Sequence, residues 1–544
     1  VTGGALKEPT LMKYTKPLSA IALAAAALVA LAGCSPSDSS PAAGAGEASE
    51  GGDLVYAVSR GFANLDPNVT AAASDAVALR QIYDSLVDLK DGEVVPWLAS
   101  DWTVSEDGLV YDFTLRDDVT FHDGTAFDAA AVCYNLDRIA DPATGSLYAI
   151  SLIGPYASCE ATDATSAVVT LATPYTPFLA NLSTPFLGMV SPTAAAADPD
   201  SFSVNPVGTG PFSFVSFSVD SELSLTRNDD YDWAPEGAEH DGAAYLDSLT
   251  FQIIGDATVR SGSLTSGDVD AIDGVPAQDV QAIESNSSLA YYNQVQSGGM
   301  FQIFLNTTRP GLDDTDVRVA VAKALDIDSA VNATYFGAYA RATSPLAPTT
   351  AGFDDSISPI GFDAEAAAEE LDDAGWVVGS DGIREKDGVR LSLSYLEFSP
   401  SYDSRLELAE FLRANLEDVG IELEIKALPI AQIQELIAAN DYDFVTTSFI
   451  AVDPDILNTL YQSESYFNFG RATEFDAQLA EARITPAGED RDAIYAAVQQ
   501  AVVGDAVSIP TYLMAYRVAT STSLGGLSFD AAAYPKLYDA YLSE

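Results

Sequence analysis

The chain has 544 residues, with 80 acidic side chains against 25 basic ones and a formal net charge of −55. A chain of this length exceeds what one hydrophobic core organises, so two or three packed units are expected, and 48% hydrophobic content is that of a folded protein. The charge excludes nucleic acid and anionic lipid headgroups as partners, because a field of that sign repels both; it fits cationic solutes, or simply a surface kept soluble in salty or wall-rich surroundings.

Lys13 and Lys16 precede an apolar run from Leu18 to Leu31 that ends in small residues. A basic head and a short apolar middle make a secretory signal, and the run is too short to span a bilayer stably. Leu31-Ala32-Gly33-Cys34 closes it and resembles the cleavage site of bacterial lipoproteins. That resemblance implies cutting before Cys34 and lipid on its thiol and new amine. Residues 1–33 are therefore read as a signal peptide with its natural start at Met12. The mature chain is expected at the extracytoplasmic face of the cell membrane, anchored only by acyl chains. Residues 34–52, rich in Ser, Pro, Ala, Gly and Glu, form a flexible tether. No later stretch is apolar and long enough to cross a bilayer, so the body is read as soluble.

The element signals then run in order. Asp53–Ser59 alternates as a strand, and Asn64-Leu65-Asp66-Pro67 ends a turn. Leu79, Ile82, Tyr83 and Leu86 have helical spacing; Val110–Leu115 reads as a strand. Asp128 is placed to cap a helix whose Val132, Leu136 and Ile139 share a face. Cys133 and Cys159 are an even pair in an exported chain, expected as a disulfide or else as two buried thiols. With His122 and His240 as the remaining soft ligands, no metal site and no cofactor are expected. Gly208, Gly210 and Pro211 predict a tight turn before the strand Phe212–Phe217. Later, a strand over Met300–Asn306, a helix capped by Asp363, a helix ended by Gly420, the strand Ile421–Ile425, a helix over Gln432–Ala439 and the strand Tyr442–Thr447 alternate as in a parallel or mixed α/β sheet.

Several of these pieces, in this order, resemble one family. They are Leu65-Asp66-Pro67, Tyr83-Asp84-Ser85-Leu86-Val87, Pro96-Trp97-Leu98-Ala99, Leu115-Arg116-Asp117-Asp118-Val119-Thr120-Phe121-His122-Asp123-Gly124-Thr125, Pro206-Val207-Gly208-Thr209-Gly210-Pro211-Phe212, Arg227-Asn228-Asp229-Asp230-Tyr231, Gly267-Asp268-Val269-Asp270-Ala271, Asn306-Thr307 and Asp316-Val317-Arg318-Val319-Ala320. Together they are similar to the solute-binding proteins of peptide- and nickel-type ABC importers, solute-binding family 5. The resemblance covers the mature chain. It implies a two-lobed α/β fold of the periplasmic-binding-protein type, type II, with an extra subdomain and a ligand cleft between the lobes. The first lobe is expected over 53–299, with an inserted subdomain over about 86–204; the second over 300–508; and a return to the first over 509–544.

The resemblance also implies a site. In peptide-binding members an aspartate four residues before a proline pairs with the peptide's amino terminus. Here that proline is Pro454 and the position holds Ile450. A desolvated ammonium without a carboxylate is costly. Either a nearby acid such as Asp453 replaces the missing one, or the solute has no free amino end there. The other expected wall residues are Ser59, Arg60 and Phe62, then Thr447, Ser448 and Phe449, then Tyr512, Met514 and Tyr516.

Catalytic motifs are missing: there is no Gly-x-Ser-x-Gly elbow, no His-Glu-x-x-His and no phosphate-cradling glycine loop. The expected function is a monomeric, lipid-anchored receptor, not an enzyme. It would capture a small peptide or peptide-like solute and deliver it to an ABC permease and its ATPase subunits. A receptor for a glycoside, opine-like compound or metal chelate, or a transporter-independent sensor or chaperone, would have the same fold.

Overall fold

The computed structural model describes residues 48–90, 92–399 and 403–543. The signal peptide, Cys34 and most of the tether lie outside the described residues. Two large sheets organise the rest. In the first, seven strands run in the order Leu289–Val295, Ala515–Ser521, Ala271–Asp273, Asp53–Val58, Ser248–Ile253, Glu222–Arg227 and Phe212–Ser218. Asp53–Val58 is parallel to both of its neighbours, and its apolar residues face covered surfaces on either side. The second sheet has five strands in the order Glu422–Leu428, Ser392–Phe398, Phe444–Ile450, Gly298–Leu305 and Ser508–Tyr512. It is mixed: Ser392–Phe398 lies parallel to both neighbours and Gly298–Leu305 antiparallel to both of its own. Each sheet is the floor of its own apolar core, one built around Leu54, Tyr56 and Phe251, the other around Phe301, Ile303 and Leu412. This is a two-lobed α/β fold.

The strand Ser508–Tyr512 belongs to the second sheet. The chain re-enters the first at Ala515, which pairs with Val295, later than the expected return at 509. Gly298, likewise, already belongs to the second sheet.

A smaller antiparallel sheet of four strands, in the order Ala99–Val104, Val110–Leu115, Ser166–Leu171 and Tyr156–Ala161, is covered by the helix Ala129–Ala140. Asp128 caps that helix, its carboxylate accepting from Ala131 N–H at 2.9 Å. A disulfide between Cys133 and Cys159, with Cα atoms 5.1 Å apart, ties the helix to the edge strand. Among the described residues no helix is long and apolar enough to cross a membrane.

The Gly208–Pro211 segment works differently from the tight turn expected. Neither Gly208 nor Gly210 adopts a left-handed backbone. Both lie against the end of helix Ala73–Ile82, where Gly210 N–H donates to Ile82 O at 2.9 Å. A Cβ on Gly208 would stand 2.2 Å from Ile82 O, and one on Gly210 2.6 Å from Ile82 C. Gly210→Ala is therefore expected to lower stability by about 1–3 kcal/mol or more, as overpacking against rigid backbone does; a urea midpoint unchanged from wild type would refute this.

His122 reads the same segment. Its Nε2 faces Gly210 O at 2.9 Å and its Nδ1 accepts from Gly208 N–H at 3.3 Å, so the ring is neutral with its proton on Nε2. Burial pushes its pKa down to about 4, against smaller opposing effects of the Gly210 carbonyl and Asp123. An unfolded imidazole takes up a proton near pH 6.5, and the folded one only near 4. The stability His122 contributes is thus fully present above pH 6.5 and falls as the pH drops to 4. The difference in urea midpoint between wild type and His122→Asn is expected to shrink across that window; a difference that grows toward pH 4 would contradict it.

Candidate functional site

The strand Phe444–Ile450 ends beside Gly298, and residues 451–455 lead from it into the helix Ile456–Tyr461. A cavity of about 580 Å³ opens at this point. Its first-lobe wall includes Arg80, Asp88, Tyr148, Phe186 and Tyr534; its second-lobe wall includes Ser297, Met300, Phe449, Ile450 and Phe467. Tyr148 and Phe186 meet edge to face at 4.9 Å, and Phe449 and Phe467 at 4.8 Å. Aromatic pairs of this kind hold rigid apolar walls with little rotamer freedom to lose. The lobes touch across the cavity: Tyr148 O–H donates to Ile450 O at 3.3 Å, and Thr176 N–H donates to Arg483 O at 3.0 Å.

A second cavity of about 450 Å³ adjoins the first. Tyr148, Ser151, Ala451, Ile456 and Thr459 belong to both walls. It is the polar one, with Asp453, Asp455, Arg483 and Tyr175 on its surface.

The charges on these walls come in pairs. Asp530 holds Arg80, with Nη2 to Oδ2 at 2.7 Å, and both side chains are almost fully buried. Asp88 holds Lys536 at 2.9 Å. Burial raises the Asp88 carboxyl, but Lys536 and Arg80 outweigh it and leave it below the usual carboxylate range. Asp453 takes Arg491 on both oxygens, at 2.7 and 2.9 Å. Asp455 takes Arg483 through Nη2 at 2.9 Å and Nε at 3.1 Å; burial raises its carboxyl despite this partner.

Of the residues expected from the sequence, Ser448, Phe449, Ile450 and Met514 line the larger cavity and Asp453 the smaller. The rest are elsewhere. Phe62 is core, packed on Phe251 at 5.5 Å and Phe217 at 6.4 Å. Tyr512 is fully buried and stacks on Phe301 at 4.5 Å. Ser59 N–H and Tyr516 O–H both donate to Asp273, at 2.6 and 3.1 Å, in a cluster at the end of the first strand. Arg60 is exposed, and Thr447 pairs with Gln302 inside the sheet. Asp453, the substitute acid in one of the two alternatives, already holds Arg491 on both oxygens. The walls that sequence reasoning missed are Tyr148, Phe186 and the stretch Asp530–Tyr534. The Tyr83-Asp84-Ser85 motif, flanked by Arg80 and Asp88, is the sequence signal nearest to this side of the cavity.

Residues 93–470 match the family model described as bacterial extracellular solute-binding proteins, family 5 Middle. The chain belongs to solute-binding family 5. The glutathione-binding protein GsiB of Shigella flexneri is 29% identical over 384 residues, 70% of either chain. Among solved structures, the ABC transporter-associated periplasmic binding protein DppA of Helicobacter pylori, in complex with the peptide STSA, is 25% identical with a TM-score of 0.74. It matches 91% of this chain and 99% of its own. HbpA2 of Haemophilus parasuis is 26% identical with a TM-score of 0.79, over 91% of this chain and 100% of its own. Family 5 members are solute-binding proteins, not enzymes.

Proposed function

We propose that this family 5 protein is the lipid-anchored receptor of an ABC importer, held at the extracytoplasmic face through Cys34. It captures a peptide or peptide-like solute whose amino end is blocked or absent, and delivers it to the permease as a monomer. The first lobe, built on the sheet that contains Asp53–Val58, and the second, built on the sheet that contains Phe444–Ile450, close on the solute. Ser448, Phe449, Ile450 and Met514 touch it.

The observation that carries this reading is the pairing of wall charges. Asp88, Asp453, Asp455 and Asp530 each hold a cation of the protein itself. An ammonium entering the cavity would lose its water and meet no uncompensated carboxylate. The apolar walls and the cavity volume, within the range of about 300–1,000 Å³ typical of small-molecule sites, favour a compact solute with bulky apolar groups. Relatives that bind glutathione and a tetrapeptide support the peptide-like class. The same absence of a free acid also favours a neutral non-peptide solute, such as a glycoside, as the second reading.

Mass spectrometry of the purified protein, native and then denatured, would identify a solute that co-purifies. In calorimetry, an N-acetylated peptide is expected to bind at least about tenfold more tightly than the same peptide with a free amine. Tight binding of free-amine peptides that N-acetylation abolishes would overturn the reading. Retention of a purified permease by the loaded receptor would separate an importer receptor from a free-standing sensor.

A further inference from the structure

Among the charged side chains of the smaller cavity, Asp453, Asp455 and Arg483, hydrogen-bonding capacity is left on one kind only. Its acids are spent. Asp455 accepts from Arg483 and also from Asn458 Nδ2 at 2.6 Å and Tyr495 O–H at 3.2 Å. Asp453 accepts from Arg491 on both oxygens and from Asp455 N–H at 2.8 Å. Its donors are not spent. A guanidinium is a planar fork with two usable edges. Arg483 gives its side edge, Nε and Nη2, to Asp455. For the end edge, no partner of Nη1 is found among the described residues, and the side chain is 41% exposed. The guanidinium lies 5.8 Å from the centre of the Tyr175 ring, which fixes its plane. Tyr175 Oη accepts from Asn181 Nδ2 at 3.4 Å, and no acceptor for its own proton is found among the described residues.

We propose that this chamber seats a carboxylate of the solute on the free edge of Arg483 and the Tyr175 hydroxyl. Arg483 then bridges two carboxylates, Asp455 on its side edge and the ligand on its end edge. The solute is an amphipathic acid: an apolar body in the larger chamber, a neck between Tyr148 and Ile456, and an acidic end in the smaller one. This inference rests on the receptor reading above. It narrows the class from a peptide-like solute to one such as an N-acylated amino acid or an N-blocked peptide with a free carboxyl end.

The test uses N-acetyl-phenylalanyl-leucine and its C-terminal carboxamide as probes, titrated calorimetrically into the purified protein. The acid is expected to bind wild type about tenfold or more tightly than the amide, the usual gain for a charge-assisted hydrogen bond. Arg483→Lys keeps a cation for Asp455 but lacks the second edge. It is expected to cut the acid-to-amide preference below about threefold. Tyr175→Phe, which removes the hydroxyl donor and the acceptor of the Asn181 amide, is expected to weaken the acid by a few-fold more than the amide. Equal binding of acid and amide to wild type would overturn the carboxylate seat while leaving the receptor for blocked peptides intact. A preference retained in both variants would overturn the assignment to Arg483 and Tyr175. Failure of both probes to bind would overturn the blocked-peptide reading together with this one and leave the neutral non-peptide solute as the reading that stands.

Discussion

Arg491→Met is expected to destabilise the protein by about 3–5 kcal/mol, the usual cost of leaving one member of a buried ion pair alone. Arg491 and Asp453 expose 4% and 9% of their side chains. Arg491 also donates from Nε to Ala482 O at 3.0 Å, so it ties the loop after Ile450 to the helix pair beneath. Without it the Asp453 carboxylate keeps only the Asp455 N–H. The double variant Asp453→Leu, Arg491→Met is expected to recover most of the loss, since a buried pair is worth little against apolar packing of similar volume. Urea unfolding of the three proteins decides it. If Arg491→Met costs less than about 1 kcal/mol, the pair is loose, and Asp453 becomes available to a ligand ammonium after all.

Removing the disulfide should cost nearly as much. With Cys133 and Cys159 separated by 26 residues, the chain-entropy model gives about 3–4 kcal/mol for opening that loop. The bridge holds the helix Ala129–Ala140 on its sheet, and the same helix carries Arg138, whose Nη1 donates to Asp66 at 3.0 Å. Cys133→Ser with Cys159→Ser is thus expected to lower the urea midpoint and to loosen the attachment of Asp66-Pro67. Thiol labelling of the unfolded, unreduced protein should find neither Cys133 nor Cys159 free. Labelling of both, or an unchanged midpoint in the serine variant, would reject the prediction.

Local signals in the chain were legible where they act over a few residues. Asp128 and Asp363 cap their helices, and Gly420 ends another, because a carboxylate or a left-handed glycine satisfies backbone groups next to it. The candidate site was legible on one side only. Ser448, Phe449 and Ile450 close a strand and precede a proline-bearing loop, a pattern confined to a dozen residues. Tyr148, Phe186 and Tyr534 come from three distant stretches, and only the folded chain brings them to one cavity. Phe62 and Tyr512 looked equally suitable as ligand walls. Aromatic residues near a crossing serve a core or a cleft, and side-chain direction, absent from composition, decides between them.

The two links between the sheets run side by side. Val295 pairs with Ala515 on one side of them and Phe301 with Tyr512 on the other, while Gln296 N–H donates to Met514 O at 2.9 Å between them. Mechanically these are the two knuckles of a door hinge: a body held by two adjacent pins turns about the line through both and resists twisting about any other. Gln296, Ser297 and Met514 line the larger cavity at this axis, with Phe449 and Ile450 close beside them on the strand paired to Gly299 and Gly298. In the proposed receptor a solute seated here would rest one flank on the pivot, where rotation displaces atoms least.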